Sequence, residues 1–302
     1  MTLFDPDPDP VPGPGSAVEE APSAPGRRRA VPPVAEAARS AVPAATVRLR
    51  LDVAYDGAAF RGFAAQQGQH TVGGALEEAL ATVLRHPVTL TCAGRTDAGV
   101  HALGQVVHVD VRADVDVARV QKSCNTLLGP EVVVRLAAVV PDDFDARRSA
   151  RARRYRYLVL QAATADPLLA PLAWHVPGPL DLRAMKAAAD AVIGEHDFRA
   201  FCRRVPGTEP GTPIVRRVLD AAWHEVRSAP DGLAEGECLL RFDVVASSFC
   251  HQMVRSLVGS MVDVGRGRAR PADLVAMLRA GARSGGATVA PPQGLCLVGV
   301  DY

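Results

Sequence analysis

Two apolar periods follow one another along this chain in a fixed order, and the order occurs twice. Residues 47–55 alternate as a strand, and a period of three to four then predicts a helix from Thr71 to Arg85 with Val72, Leu76, Leu80, Val83 and Leu84 on one face. Residues 88–92 and 105–109 read as strands. Asp116 caps a second helix that carries Val117, Val120, Cys124, Leu127 and Leu128 and stops at Gly129-Pro130, before a strand over 132–140. The second pass begins with a strand at 153–160 and a helix capped by Asp181, with Leu182, Met185, Ala189 and Val192 on one face and its end at Gly194. Strands over 213–226 and 237–245 follow. Ser248 is expected to start a helix that turns Phe249, Met253, Leu257 and Met261 to the core, Pro271 opens a shorter one, and 295–300 is the last strand. Two βαββαβ units predict an α+β protein of two ferredoxin-like halves, residues 46–150 and 151–302, with mostly antiparallel strands. Helices on one face leave the other face, and the groove between the halves, free for a ligand.

Residues 1–45 break with this pattern. They hold ten of the 24 prolines, the repeat Asp5-Pro6-Asp7-Pro8-Asp9-Pro10, and no aromatic residue beyond Phe4. Such a segment buries too little apolar surface to offset its ordering entropy, so a disordered tail is expected. Its triplet Arg27-Arg28-Arg29 reads first as a solvated stretch and second as a contact for RNA. No run approaches the roughly 18 apolar residues of a membrane span, so no membrane partner is expected and the location is read as cytoplasmic. The six cysteines, Cys92, Cys124, Cys202, Cys238, Cys250 and Cys296, include no CxxC pair and are expected to be reduced. A net charge of +1 hides a local concentration: Arg147, Arg148, Arg151, Arg153, Arg154 and Arg156 crowd into one stretch. Lys122 and Lys186 are the only lysines, so the positive charge is guanidinium, which forks onto phosphate and stacks on bases. The run reads either as a solvated face or as an RNA contact.

One segment stands out for chemistry, Ala93-Gly94-Arg95-Thr96-Asp97-Ala98-Gly99-Val100-His101, between two strands. Gly94 and Gly99 permit a tight loop with Asp97 at its bend. An ordinary hairpin turn accounts for the same residues if Asp97 bonds only its own backbone. As a catalytic group, Asp97 is the best nucleophile in the chain: a carboxylate can attack a glycosidic or base carbon, or stabilise a cationic sugar. It has to stay ionised where water is scarce, and a partnered arginine holds its pKa down. Strand alternation places Arg153, Tyr155 and Tyr157 on one face and Arg154 and Arg156 on the other, so Tyr155 is either a packed sheet residue or an aromatic for base stacking and proton relay. No Walker loop, GxSxG elbow or HExxH helix occurs, and the Cys250-His251 pair and the spacing of His101 and His108 lack the further ligands of a zinc site. Neither metal nor cofactor is expected.

The Asp97 segment, continued by Gly104-Gln105-Val106-Val107-His108, resembles the signature of the tRNA pseudouridine synthase A family. The resemblance extends in order through Ala54-Tyr55-Asp56-Gly57, Phe60, Gly62, Gln66, Pro141-Asp142-Asp143-Phe144, Ala146-Arg147, Ala152-Arg153-Arg154-Tyr155-Arg156-Tyr157, His251-Gln252-Met253-Val254-Arg255 and Gly294-Leu295. It implies one extended sheet with a central RNA-binding cleft, and conversion of uridines 38, 39 and 40 of the tRNA anticodon stem-loop to pseudouridine without a cofactor. It further implies that Arg255 pairs with the catalytic Asp97, that Arg95 helps extrude the target nucleotide, that Tyr155 acts at the base, that Leu295 packs against the uracil and that Arg147 contacts phosphate. A homodimer with one tRNA spanning both subunits is part of the same expectation. Phe63, Gly73 and Ser256 depart from residues usual in the family, Trp, Gln and Asn respectively.

Two rival functions fit parts of the sequence. A binding module on the same fold would use the arginine groove without chemistry. An Asp-nucleophile hydrolase of glycosides or phosphates would need a second suitably spaced carboxylate or a metal, and neither is evident.

Overall fold

Leu49, Leu51 and Val53 alternate along the first strand with Arg48, Arg50 and Asp52, and that alternation sorts the molecule into a buried and an open face. The computed structural model describes residues 45–203, 207, 209, 211–226, 236–281 and 288–302. Among them ten strands form one sheet, accompanied by five α-helices. In chain order these are β1 (Thr46–Tyr55), α1 (Val72–Leu84), β2 (Thr91–Cys92), β3 (His101–Arg112), α2 (Val117–Leu128), β4 (Val132–Val140), β5 (Ala152–Gln161), β6 (Trp174–Val176), α3 (Leu182–Asp190), β7 (Gly194–Asp197), β8 (Val215–Glu225), β9 (Cys238–Ala246), α4 (Met253–Gly265), α5 (Pro271–Ala280) and β10 (Leu295–Asp301).

The strands fall into two antiparallel quartets of the same order, β4-β1-β3-β2 and β10-β5-β9-β8, with β7 added outside β8. They join at a short parallel seam, where Cys296 and Leu297 of β10 pair with His101 and Ala102 of β3. The same edge of β3 is taken further along by β2, at Thr91↔His108, so the segment linking β2 to β3 starts and ends beside the seam. The buried face carries one continuous apolar core that includes Leu51, Val107, Tyr157 and Phe242 from the sheet and Leu76, Leu80, Cys124, Met185, Leu257 and Met261 from the helices. Thr71, Asp116 and Asp181 cap α1, α2 and α3 by accepting from the N–H groups of Gly74, Arg119 and Ala184 at 3.2, 3.0 and 3.0 Å, each cap worth about 1 kcal/mol.

The open face is charged but internally paired. Arg48 bonds Asp110, Arg50 bonds Asp52, Arg156 bonds Asp243 and Arg154 bonds Asp301. This divides the arginine-rich run: Arg154 and Arg156 are held by carboxylates, Arg153 is buried, and Arg147, Arg148 and Arg151 stand exposed.

The expected elements shift in instructive places. β2 is two residues long and β3 begins already at His101. β6 and β7, of three and four residues, were not anticipated, because so short a run shows no full alternation. α4 begins at Met253 and not at Ser248, because residues 248–252 form a turn with Gln252 in the left-handed region at φ 64°. Leu127, expected on the core face of α2, is half exposed, and Val120 and Cys124 alone of that helix are fully buried. The expected tail and its Arg27-Arg28-Arg29 triplet lie outside the described residues. Among the described helices none is long and apolar enough to cross a membrane.

Candidate active site

Residues 93–100, from β2 to β3, are fixed from several sides. The Ala93 N–H donates to the Val106 carbonyl at 2.8 Å, and the Ala93 carbonyl accepts from Arg153 Nη2 at 2.9 Å. Gln105, fully buried, donates to the Gly94 carbonyl at 2.7 Å. The Tyr55 hydroxyl meets Thr96 Oγ1 at 2.8 Å, and the Thr96 carbonyl accepts from the Phe63 N–H at 3.1 Å. Gly99 closes the loop with φ 77°, a conformation that a side chain would strain. Hence the residues leading into Asp97 are bonded to β1 and β3, and Gly99 beyond it donates to the Phe60 carbonyl at 3.3 Å, so the loop is fixed on both sides of Asp97.

Asp97 keeps about a fifth of its side chain exposed, and both carboxylate oxygens are engaged. Arg255 Nη1 donates to Oδ2 at 2.9 Å, while Arg255 Nε donates to the Ala290 carbonyl at 2.8 Å. His251 Nε2 lies 3.0 Å from Oδ1. The two partners come from the start of α4 and the turn before it, so the Asp97 loop meets a segment far away in sequence.

Tyr155 is buried beside this pair, its ring edge-on to Phe249 at 5.0 Å between centroids. A Cβ placed on Gly94 would stand 3.9 Å from the Tyr155 hydroxyl, an ordinary contact, so the start of the Asp97 loop lies next to the phenol oxygen. Burial pushes the Tyr155 pKa well above its usual value, and the Asp97 charge raises it further, which keeps the phenol protonated. Arg95 is exposed on the same loop and Arg147 is exposed just after Ala146; burial pushes the Cys92 thiol up, and the charges of Arg95 and Arg147 oppose that push. Leu295 opens β10, is buried, and stands in register opposite Tyr157. Thus the fold gathers Asp97, Arg255 and Tyr155 into one cluster with Arg95 and Arg147 at a rim near Cys92, while Leu295 belongs to the seam strand.

Three participants escaped the sequence reading. His251 touches Asp97, Phe249 packs on Tyr155, and Arg153 anchors the loop instead of joining the basic face. Arg153 is buried and donates to four carbonyls, those of Ala93, Arg147, Ala150 and Ser247. No local signal marked His251, because it precedes α4 in a turn that the helical period does not show. The cysteine expectation also needs correction: Cys202 and Cys250 are bridged, with Cα atoms 5.8 Å apart, whereas Cys92, Cys124, Cys238 and Cys296 are free. The bridge joins two apolar segments distant in sequence, which spacing alone could not show. Among the described residues no group of three or more His, Cys, Asp or Glu side chains converges as a metal site would require.

A family model described as tRNA pseudouridine synthase matches residues 53–147 and 188–302, so both the Asp97 loop and the Arg255 helix fall within it. The chain belongs to the tRNA pseudouridine synthase family. It is 47% identical over 260 residues to tRNA pseudouridine synthase A of Frankia casuarinae, a match covering 85% of this chain and 89% of that one. Over 276 residues it is 41% identical to tRNA pseudouridine synthase A of Leifsonia xyli subsp. xyli, covering 84% and 91%. Over 256 residues it is 42% identical to the enzyme of that name from Methylobacterium nodulans, covering 84% and 96%. Membership assigns the reaction class: isomerisation of uridine to pseudouridine within tRNA. The synthase departures from family habit lie near the site's supports. Phe63 donates its N–H to Thr96, Gly73 donates to the Phe63 carbonyl at 2.8 Å, and Ser256 is buried beside Arg255 in sequence.

Proposed function

We propose that this protein converts uridines 38, 39 and 40 of the tRNA anticodon stem-loop to pseudouridine, with Asp97 as nucleophile and without a cofactor. The observation that carries this reading is the Asp97 carboxylate, met on one oxygen by Arg255 and on the other by His251, where the β2–β3 loop meets the start of α4. Isomerisation breaks the bond from C1′ to N1, turns the uracil, and joins C1′ to C5; C5 gives up a proton and N1 receives one. An ionised carboxylate fixed in the groove supplies the negative charge that either attacks or stabilises the sugar or base during the first step. A uridine in a stem is out of reach, so the base has to leave the stack first. Arg95, exposed on the loop beside Asp97, takes the place vacated by the flipped nucleotide. Tyr155 stacks beneath the freed uracil, and its protonated hydroxyl can give or relay a proton. Arg147 binds phosphate at the rim, and Leu295 closes the apolar side of the pocket. The synthase works as a homodimer with one tRNA across both subunits.

A single-turnover assay of the wild type and Asp97→Asn on an unmodified tRNA transcript, with pseudouridine mapped by position, tests this. Product at 38 to 40 in the wild type and at least a thousandfold less in the variant is expected. Product at other positions refutes the site assignment, and an active Asp97→Asn refutes the nucleophile.

A further inference from the structure

The Asp97 carboxylate has one partner that the nucleophile assignment does not require. Arg255 alone supplies the countercharge, through a single hydrogen bond to Oδ2. A carboxylate held by one oxygen still turns about its last torsion, which is broad for an sp³–sp² bond. A second polar contact lies on the other oxygen: His251 Nε2 sits 3.0 Å from Oδ1 and approaches from a different piece of backbone, so the carboxylate is faced from both of its oxygens. The two partners also differ in access: the Arg255 side chain is 14% exposed and that of His251 is 44% exposed, so Oδ1 faces the more open side of the site.

The backbone around His251 is unusually constrained for one turn. The His251 carbonyl accepts from the Arg203 N–H at 2.9 Å, and the Cys250 carbonyl accepts from the Met253 N–H at 3.1 Å. Cys250 is bridged to Cys202 on one side, and Gln252 on the other adopts φ 64°. A non-glycine residue in that region is disfavoured and persists only where its surroundings enforce it. In a regular helix extended back to Ser248 the chain would not make this turn; the structure gives up that helical turn, and His251 meets Asp97.

We propose that His251 is a positioning residue of the synthase reaction: its Nε2–H, donated to Oδ1, sets the orientation of the Asp97 carboxylate and so aims the lone pair that reacts. The inference rests on the assignment of Asp97 as nucleophile. Its effect belongs to the chemical step and not to tRNA binding, because His251 acts through Asp97. Misplacing a reacting group by about 1 Å costs roughly a hundredfold in rate.

The test uses the full-length protein and an unmodified tRNA transcript, with the single-turnover rate constant at saturating enzyme and the tRNA dissociation constant measured separately. His251→Ala removes the donor, whereas His251→Gln places an amide N–H close to where Nε2 stood. Expected are a 10- to 100-fold slower rate for His251→Ala with tRNA affinity within about threefold of wild type, and recovery by His251→Gln to within about fivefold of the wild-type rate. A wild-type rate in His251→Ala overturns the proposal. So does a loss in affinity with the rate unchanged, or a His251→Gln variant as slow as the alanine, since donation to Oδ1 would then not be what matters. Failure of the underlying assignment looks different: Asp97→Asn, run alongside, would then remain active or the wild type would make no product.

Discussion

His108 lies in β3, in register with Thr91 of β2. His108 is buried as an acceptor: its Nδ1 takes the Ala146 N–H at 3.0 Å. Burial is the first cause that moves its pKa below the usual value, and Arg48 adds to the effect while Asp145 and Asp110 oppose it. A base whose pKa is lower folded than unfolded binds its proton first in the unfolded chain, so stability rises with pH across the gap. The contribution of His108 is therefore complete above the ordinary histidine value of about 6.5 and shrinks as pH falls toward the folded pKa. His108→Asn, which keeps an acceptor but cannot titrate, is expected to flatten the urea midpoint between about pH 6.5 and 5 relative to wild type. An unchanged slope would show that His108 is not the group responsible.

At the scale of elements, the site is a loop and a turn held to β5 by one side chain. Arg153 lies inside the sheet junction with no carboxylate among its bonded partners; its donors go to the carbonyls of Ala93, Arg147, Ala150 and Ser247. Ala93 starts the Asp97 loop and Ser247 precedes the turn that presents Phe249 and His251, so one guanidinium aligns both sides of the site. A buried acceptor left unsatisfied costs about 1 to 3 kcal/mol. Arg153→Met is accordingly expected to lower unfolding free energy by about 3 kcal/mol in urea titrations. Arg153→Lys, with three donors on a point charge in place of a planar fork, is expected to recover less than half of that loss. A methionine variant as stable as wild type would show the four bonds to be dispensable.

Across the whole molecule, the seam between the quartets decides whether the two sides of the site meet. Asp97 belongs to the β2–β3 loop and Arg255 to α4, 158 residues apart in sequence. Gly104 lies where β3 runs against β10, and a Cβ there would stand 2.5 Å from the Val298 carbonyl oxygen and 3.0 Å from the Gly299 Cα. Both obstacles are backbone, so relief requires the strands to part. Gly104→Val is expected to slow the single-turnover rate at least tenfold by moving Asp97 relative to Arg255 and His251, with far-ultraviolet circular dichroism retained. A wild-type rate in that variant would show that the seam tolerates the added bulk.

The sequence by itself determined the order of the main strands and helices, short β6 and β7 excepted, the two quartets that follow from it, and Asp97 as the candidate carboxylate. Those features are local: a period of two or of three to four residues states strand or helix, caps such as Asp116 and Asp181 mark where helices begin, and a glycine-flanked aspartate announces its loop. Resemblance supplied Arg255 as a partner for Asp97. Tertiary structure alone decided what depends on distant segments meeting. Local signals carry no record of which carbonyls a buried arginine will find, and so Arg153 read as part of a basic surface. The period of α4 continues back to Ser248, and only contacts with Arg203, Cys202 and Arg153 turn residues 248–252 out of the helix and set His251 against Asp97.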